Sequence, residues 1–108
     1  MAEIAAGAGR FNPAAATEPH WVEHGRSAHL SFGTYSIAAG GVDTQTPHRE
    51  DEIYVVTAGR GRFTAPGVDA AVGPGTTIFV AAGEEHRFAD IDTDFACLVV
   101  FAPPETEP

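Results

Sequence analysis

From Trp21 onward, glycines recur between short apolar segments, and this spacing leaves almost no room for a helix. The segments are rich in Val, Ile, Thr, Phe and Tyr, which favour strands. They cover 29–38, 52–59, 62–65, 69–72, 76–81, 85–91 and 95–102. The Gly-Arg-Gly stretch at 59–61 predicts a hairpin between two of them. The pattern therefore predicts an all-β fold, an antiparallel sandwich or barrel of seven or eight short strands.

The chain has 108 residues, which is enough for a single domain at most. Residues 1–19 are rich in Ala, Gly and Pro and lack periodicity, so we expect a flexible N-terminal arm. Residues 20–104 form the predicted barrel domain, and 105–108 form a short acidic tail. The stretch HWVEH at 20–24 matches the H-x-x-E-H motif of one class of helical zinc peptidases. Pro19 and Gly25 leave no space for that helix, so we interpret the stretch as a strand and the match as chance.

Composition restricts the partners that this chain can bind. The formal net charge is −9, with 15 acidic residues against 6 arginines and no lysine. Such a surface repels phosphate backbones and anionic lipids, so we expect neither nucleic acid nor a membrane as a partner. Glu3 and Arg10 interrupt the N-terminal stretch, which lacks the pattern of a signal peptide, and we expect a cytoplasmic protein. The single cysteine, Cys97, lies in an apolar run and is expected to be a buried, inert thiol.

Two separated stretches carry candidate metal ligands. His48 and Glu52 flank a charged turn in TPHREDE, and His86 follows an apolar strand and a glycine in GEEHRF. Two imidazoles and one carboxylate suit a divalent transition metal such as Fe, Mn, Zn, Ni or Cu. They also leave coordination positions open for substrate or oxygen. The alternative is a solvated turn with an isolated histidine at its rim.

Both stretches resemble the two sequence motifs of the cupin superfamily. The first motif, G-x5-H-x-H-x3-E-x6-G, maps onto Gly40, Thr46, His48, Glu52 and Gly59. The second, G-x5-P-x-G-x2-H-x3-N, maps onto Gly75, Ala81, Gly83, His86 and Asp90. Together the motifs cover residues 40–90. The resemblance implies a small single-domain jelly-roll β-barrel.

The resemblance also implies metal ligands at positions 46, 48, 52 and 86. His48, Glu52 and His86 retain ligating side chains, whereas Thr46 is a poor metal ligand. Positions 46 and 48 share one face of a regular strand, so Thr46 is expected to line the substrate pocket.

The same alternation predicts the remaining pocket residues. It directs Gln45 away from the pocket, unless Pro47 distorts the strand. It places Tyr54 and Phe88, two residues beyond Glu52 and His86, in the pocket wall. The other large aromatic residues are expected in the core. These are Phe63, Phe79, Phe95 and Phe101.

Three functions are compatible with this reading. The first is a metal-dependent enzyme for a small organic substrate, with Glu52 and Tyr54 as catalytic residues. Dioxygenase chemistry is slightly favoured over isomerase, decarboxylase or lyase chemistry, because the expected centre has two histidines and one carboxylate. The second is a non-catalytic module that binds or senses a small ligand, and the third is a barrel that has lost its metal. Similarity to small cupins that pair through barrel edges predicts a homodimer.

Overall fold

A computed structural model describes residues 2–106 as an almost entirely β protein. This part of the chain contains no helix long and apolar enough to cross a membrane. The elements are a 3-10 helix η1 (Pro13–Ala16) and the strands β1 (His20–Arg26), β2 (Ser31–Ile37), β3 (Asp51–Ala58), β4 (Gly61–Ala65), β5 (Val68–Val72), β6 (Thr77–Val80), β7 (Arg87–Ala89) and β8 (Phe95–Ala102). The predicted all-β class and its short strands are confirmed.

The strands form two antiparallel sheets that enclose one core. One sheet has the order β1-β2-β8-β3-β6, and the other has the order β5-β4-β7. This is the predicted jelly-roll barrel. The inward-facing side chains form a continuous cluster whose largest fully buried members are Tyr54, Phe88 and Phe95. Cys97 is buried and free, as expected.

The turn at 59–61 carries the chain from one sheet to the other, so the predicted hairpin is wrong. Strand β3 pairs with β6 and β8, whereas β4 pairs with β5 and β7. Gly59 has a φ of +79°, and a Cβ atom there would lie 2.3 Å from the Asp94 carbonyl oxygen. Glycine is required because the chain crosses here against the backbone that leads into β8.

The N-terminal segment is docked on the outer face of the larger sheet, which differs from the expected flexible arm. The Gly9 amide donates to Thr34 Oγ1 at 2.8 Å, and the Asn12 amide donates to Ser36 Oγ at 3.1 Å. The Thr57 hydroxyl donates to the Gly9 carbonyl. Thr34 and Ser36 alternate with inward-facing residues of β2, yet both are buried, because this segment covers them. The backbone of this N-terminal segment, which has no periodic sequence pattern, thus forms hydrogen bonds with hydroxyl groups of the sheet.

One aromatic residue expected in the core lies outside it. Phe79 is 64% exposed and is the cross-strand partner of Ile53, which is 42% exposed. Strand β6, which carries Phe79, is short and lies at the edge of its sheet, so its outward positions have no second layer against them.

Candidate functional site

Hydrogen bonds hold the loop before β3 against the turn before β7. The Gly83 amide donates to the His48 carbonyl oxygen at 2.7 Å, and the Ala82 amide donates to Asp51 Oδ1 at 2.8 Å. These contacts join the two motif regions. The centres of the His48 and His86 rings lie 6.4 Å apart.

Glu52 and His86 form a buried pair inside the barrel. Glu52 and Tyr54 are inward positions of β3, as the burial of alternate residues shows. His86 Nε2 lies 3.1 Å from Glu52 Oε1, and both side chains are at most 1% exposed. Glu52 Oε2 is also buried, and among residues 2–106 it has no hydrogen-bond partner. Burial of a carboxylate oxygen without a partner costs free energy, so a hydrogen-bond donor or a cation beside Glu52 Oε2 would stabilise this end of the barrel.

The protonation of the pair follows from its surroundings. Burial lowers the pKa of His86, but hydrogen bonds to Glu52 and to the Glu84 carbonyl outweigh this effect and raise it. His86 Nδ1 lies 2.9 Å from that carbonyl, so Nδ1 carries a proton. Burial, followed by the nearby Glu52 charge, raises the pKa of Tyr54 well above its usual value. Tyr54 therefore keeps its hydroxyl proton, 2.8 Å from His86 Nε2.

Asp43 orients the amide of Gln45 towards this pair. The buried Asp43 carboxylate accepts hydrogen bonds from Gln45 Nε2 at 2.8 Å and from the Phe88 amide at 2.9 Å. Its other oxygen accepts from the Tyr35 hydroxyl at 2.7 Å. Gln45 Oε1 then accepts from the Tyr54 hydroxyl at 3.0 Å. Asp43 was not among the residues predicted from the sequence, since an isolated aspartate between two motif positions carries no signal.

Gln45, and not Thr46, faces the site. Thr46 is exposed, because residues 41–48 are not a strand and the expected alternation does not apply. The backbone N–H of Gln45 instead donates to Asp43 Oδ1 at 3.2 Å. This hydrogen bond closes a local turn that redirects the chain. The structure thus corrects the expected placement of Thr46 in the pocket wall and brings Gln45 into its place.

The C-terminal tail supplies a partner for His48. Glu105 Oε2 lies 3.4 Å from His48 Nδ1, and the opposite ring nitrogen lies 3.4 Å from Gln45 Oε1. Two hydrogen bonds hold Glu105 in place. Its backbone amide donates to Ser31 Oγ at 2.9 Å, and the Arg26 guanidinium donates to its carbonyl oxygen. Glu105, in the predicted acidic tail, is therefore part of the site, which its distance along the chain gave no reason to expect, whereas residues 107–108 of that tail lie outside the described residues.

A pocket of about 240 Å³ opens beside these groups. It is lined by Trp21, Tyr35, Gln45, His48, Tyr54, Val99, Phe101 and Glu105. The Tyr54 hydroxyl links this pocket to the buried pair of His86 and Glu52. Phe88, predicted as a pocket wall, does not line the pocket. It faces the interior as expected but lies in the core, with its ring centre 5.0 Å from Tyr54 and 4.9 Å from Phe95.

The residues present fit a divalent metal in their chemistry. Among residues 2–106, no three His, Cys, Asp or Glu side chains already lie close enough together to hold an ion. Both histidines nevertheless have an oxygen against Nδ1, the arrangement that leaves Nε2 to bind a metal. The unpartnered Glu52 Oε2 is a further donor beside them.

The HWVEH stretch lies in strand β1, as expected, and contributes Trp21 to the pocket, whereas its two histidines make other contacts. His24 Nε2 lies 2.6 Å from Thr34 Oγ1, and His20 pairs with Ser36 across the β1–β2 ladder. His29 is exposed in the connection to β2.

Comparison with known proteins agrees with the fold. The profile of the family described as "Cupin domain" matches residues 33–102. An uncharacterized Streptomyces coelicolor protein, SCO3923, is 38% identical over 92 residues, which are 85% of this chain and 88% of that protein. A Rhizobium leguminosarum protein of unknown function has a similar structure, with a TM-score of 0.78 at 16% identity over 95% of this chain and 97% of that one. The DMSP lyase DddQ from Ruegeria pomeroyi has a TM-score of 0.74 at 22% identity, over 93% of this chain and 54% of that one.

Proposed function

We propose that this chain, which belongs to the cupin family, is a metal-dependent enzyme acting on a small organic molecule in the pocket between Trp21 and Phe101. One observation carries the proposal. A buried carboxylate with an unpartnered oxygen lies 3.1 Å from an imidazole that a backbone carbonyl orients. Such a pair is not required for stability, since apolar residues of similar volume in a barrel interior stabilise the folded state as well or better.

His48, Glu52 and His86 are the proposed ligands. Their imidazole and carboxylate donors suit Fe, Mn, Zn, Ni or Cu. A divalent metal bound there would polarise an oxygen of the substrate as a Lewis acid. Gln45 Oε1 lies 3.4 Å from the Nε2 atom of His48 and offers a neutral oxygen donor.

Tyr54 is the proposed proton donor. Its hydroxyl lies at the junction of the pocket and the buried pair, and its raised pKa keeps it protonated at neutral pH. It can donate a hydrogen bond, and then the proton, to negative charge that develops on a substrate atom. Glu52 serves as a ligand through one oxygen and keeps the other near the Tyr54–His86 contact.

This arrangement favours proton-transfer chemistry, as in a lyase or an isomerase. The dioxygenase chemistry favoured by the sequence rests on the ligand count alone and stays a prediction. Proton-transfer chemistry is supported in addition by the Tyr54 hydroxyl, which lies 2.8 Å from His86 Nε2 and can exchange a proton with it.

Metal content tests the proposal directly. The purified protein would be stripped with a chelator, reconstituted with each of the five metals, and analysed for bound metal. We expect saturable binding of a single ion in the wild type. Because loss of an outer partner of a ligand alone weakens metal binding about 10–100-fold, His48→Ala and His86→Ala should weaken it at least that much.

The exposed His29 provides the matched control. His29→Ala removes an imidazole outside the site and should leave metal affinity unchanged. Wild-type protein that binds none of the five metals would contradict the proposal, as would equal losses in all three variants.

A non-catalytic module that binds or senses a small ligand is the second candidate. It is supported by the hydrogen bond from the Tyr54 hydroxyl to Gln45 Oε1, which engages the hydroxyl that the enzyme proposal needs as a proton donor. Incubation of the metal-loaded protein with small organic molecules, followed by NMR, distinguishes the two. An enzyme converts a molecule that binds, whereas a sensor releases it unchanged.

We also propose that the chain forms a homodimer through the edge of the larger sheet. Ile53 and Phe79 form an exposed apolar pair beside the unpaired side of β6. Edge strands of this kind pair with other chains unless they are protected. Light scattering at micromolar concentration should give twice the chain mass for the wild type and the chain mass for Phe79→Ser. A monomeric wild type would overturn this proposal.

A further inference from the structure

We propose that the pocket selects a small organic cation, such as a quaternary ammonium or another onium group. The inference rests on the proposed function only in that it uses the same pocket, and it specifies the class of substrate. Nothing in it depends on which metal is bound.

The walls of the pocket are aromatic. Trp21, Tyr35, Tyr54 and Phe101 all line it. The Trp21 and Phe101 rings have centres 5.7 Å apart and planes at 80° to each other, so they form two walls of a corner. Aromatic ring faces attract cations, and several rings around one site form the cage that recognises quaternary ammonium groups.

The aromatic side chains are fixed before a ligand arrives. The Tyr35 hydroxyl is bonded to Asp43 at 2.7 Å, and the Tyr54 hydroxyl is bonded to Gln45 at 3.0 Å. Tyr35 therefore offers its ring, and not its hydroxyl, to a ligand. Preorganised walls reduce the entropy that binding costs.

The side chains of the pocket, taken without the proposed metal, carry the sign of charge that a cation requires. Glu105 contributes a carboxylate to the lining, and no arginine of the described chain contributes to it. His48 is the one lining residue that can become positive, and it lies against Glu105 itself. The whole chain adds a formal charge of −9, which raises the local concentration of cations. An anionic substrate would find no fixed positive side chain there.

The size of the pocket restricts the ligand to a compact molecule. Its 240 Å³ is smaller than the roughly 300–1,000 Å³ typical of sites for drug-sized ligands. A trimethylammonium group with a short polar chain is of suitable size, with the polar chain directed at His48 and Gln45.

The single tryptophan makes the test direct, because Trp21 is the only one in the chain. Choline would be titrated into the metal-loaded and the metal-free protein, and Trp21 fluorescence and calorimetric heat would be recorded. The comparison ligand is 3,3-dimethylbutan-1-ol, which has the same shape without the charge. We expect choline to bind about tenfold or more tightly than the neutral alcohol, as expected for a cation desolvated between rings.

Two variants assign the preference to the pocket. Glu105→Gln keeps the shape of the side chain and removes its charge, and we expect it to weaken choline binding about three- to tenfold while leaving the alcohol unaffected. Glu18→Gln removes one charge from an exposed site outside the pocket and should change neither. Trp21→Leu, followed by calorimetry, should reduce the preference for the cation.

The outcomes separate this inference from the proposed function. Equal binding of choline and the alcohol, or tighter binding of the anion 3,3-dimethylbutanoate to the metal-free protein, would overturn the cation preference even if the metal is bound as proposed. Choline selectivity in a protein that binds no metal would support the inference and contradict the metal centre.

Discussion

The two ends of the barrel interior differ in polarity, since one is apolar and the other contains buried polar and charged side chains. At one end Val56, Ile91 and Phe95 pack with apolar neighbours and are at most 5% exposed. At the other end Asp43, Glu52 and His86 are buried almost as completely. Apolar burial stabilises in proportion to area, whereas buried polar groups cost free energy unless each finds a partner. The apolar end therefore accounts for stability, and the polar end is retained for the site that it forms.

Phe95→Ala should produce the largest loss of stability, because it leaves a cavity in the apolar end. Phe95 is fully buried, and removal of such a ring costs about 3–5 kcal/mol of the free energy of unfolding. Urea denaturation measures this loss. Protein that remains folded should keep its metal affinity, since the side chain does not line the pocket. A loss below about 1 kcal/mol would mean that the two ends do not differ as described.

Asp43→Ala should produce the next largest loss, and it should also affect the site. It would leave the Tyr35 hydroxyl, the Phe88 amide and both nitrogens of Gln45 without their acceptor. Buried donors without partners cost about 1–3 kcal/mol each, and relaxation towards water reduces the sum, so we expect a loss of about 3 kcal/mol. Asp43→Asn should lie between the wild type and Asp43→Ala. Unlike Phe95→Ala, both variants should weaken ligand binding, which calorimetry can measure.

Tyr54→Phe should cost about 1–2 kcal/mol of the free energy of unfolding, because Gln45 Oε1 and His86 Nε2 lose their shared hydroxyl partner. Metal content should be retained, since the proposed ligands are intact. Turnover of a substrate identified by NMR should fall about 100-fold or more if the hydroxyl is the proton donor. Turnover that remains at the wild-type level would remove Tyr54 from the chemistry.

Gln45→Ala and Thr46→Ala form a matched pair with the smallest effects on stability. Thr46 is exposed, so its truncation should change stability by less than about 0.5 kcal/mol and leave metal affinity unchanged. Gln45 contacts Tyr54 and lies beside His48, so its truncation should weaken metal binding about tenfold. The opposite ranking would restore the placement of Thr46 that the sequence suggested.

Local sequence patterns determined the strands, the all-β class and the family. Strand and turn preferences act over a few residues, so the segments that became β2, β3 and β8 could be located without the tertiary structure. Gly40, Gly59, Gly75 and Gly83, the glycines of the two motifs, all have positive φ angles. The pairing of His86 with Glu52, across more than thirty residues, followed from motif spacing and the predicted barrel.

Only the tertiary structure decided which side chains complete the site. The orientation of Gln45 depends on a turn closed by Asp43, and the loop that contains them is too irregular for strand alternation to apply. Glu105 reaches His48 because the chain beyond β8 is held at Ser31, the first residue of β2, a contact between residues far apart in sequence. Hydrogen bonds of this kind depend on where distant segments meet in space. Local preference therefore predicted the strands, the motifs indicated the ligand candidates, and long-range packing selected the residues around them.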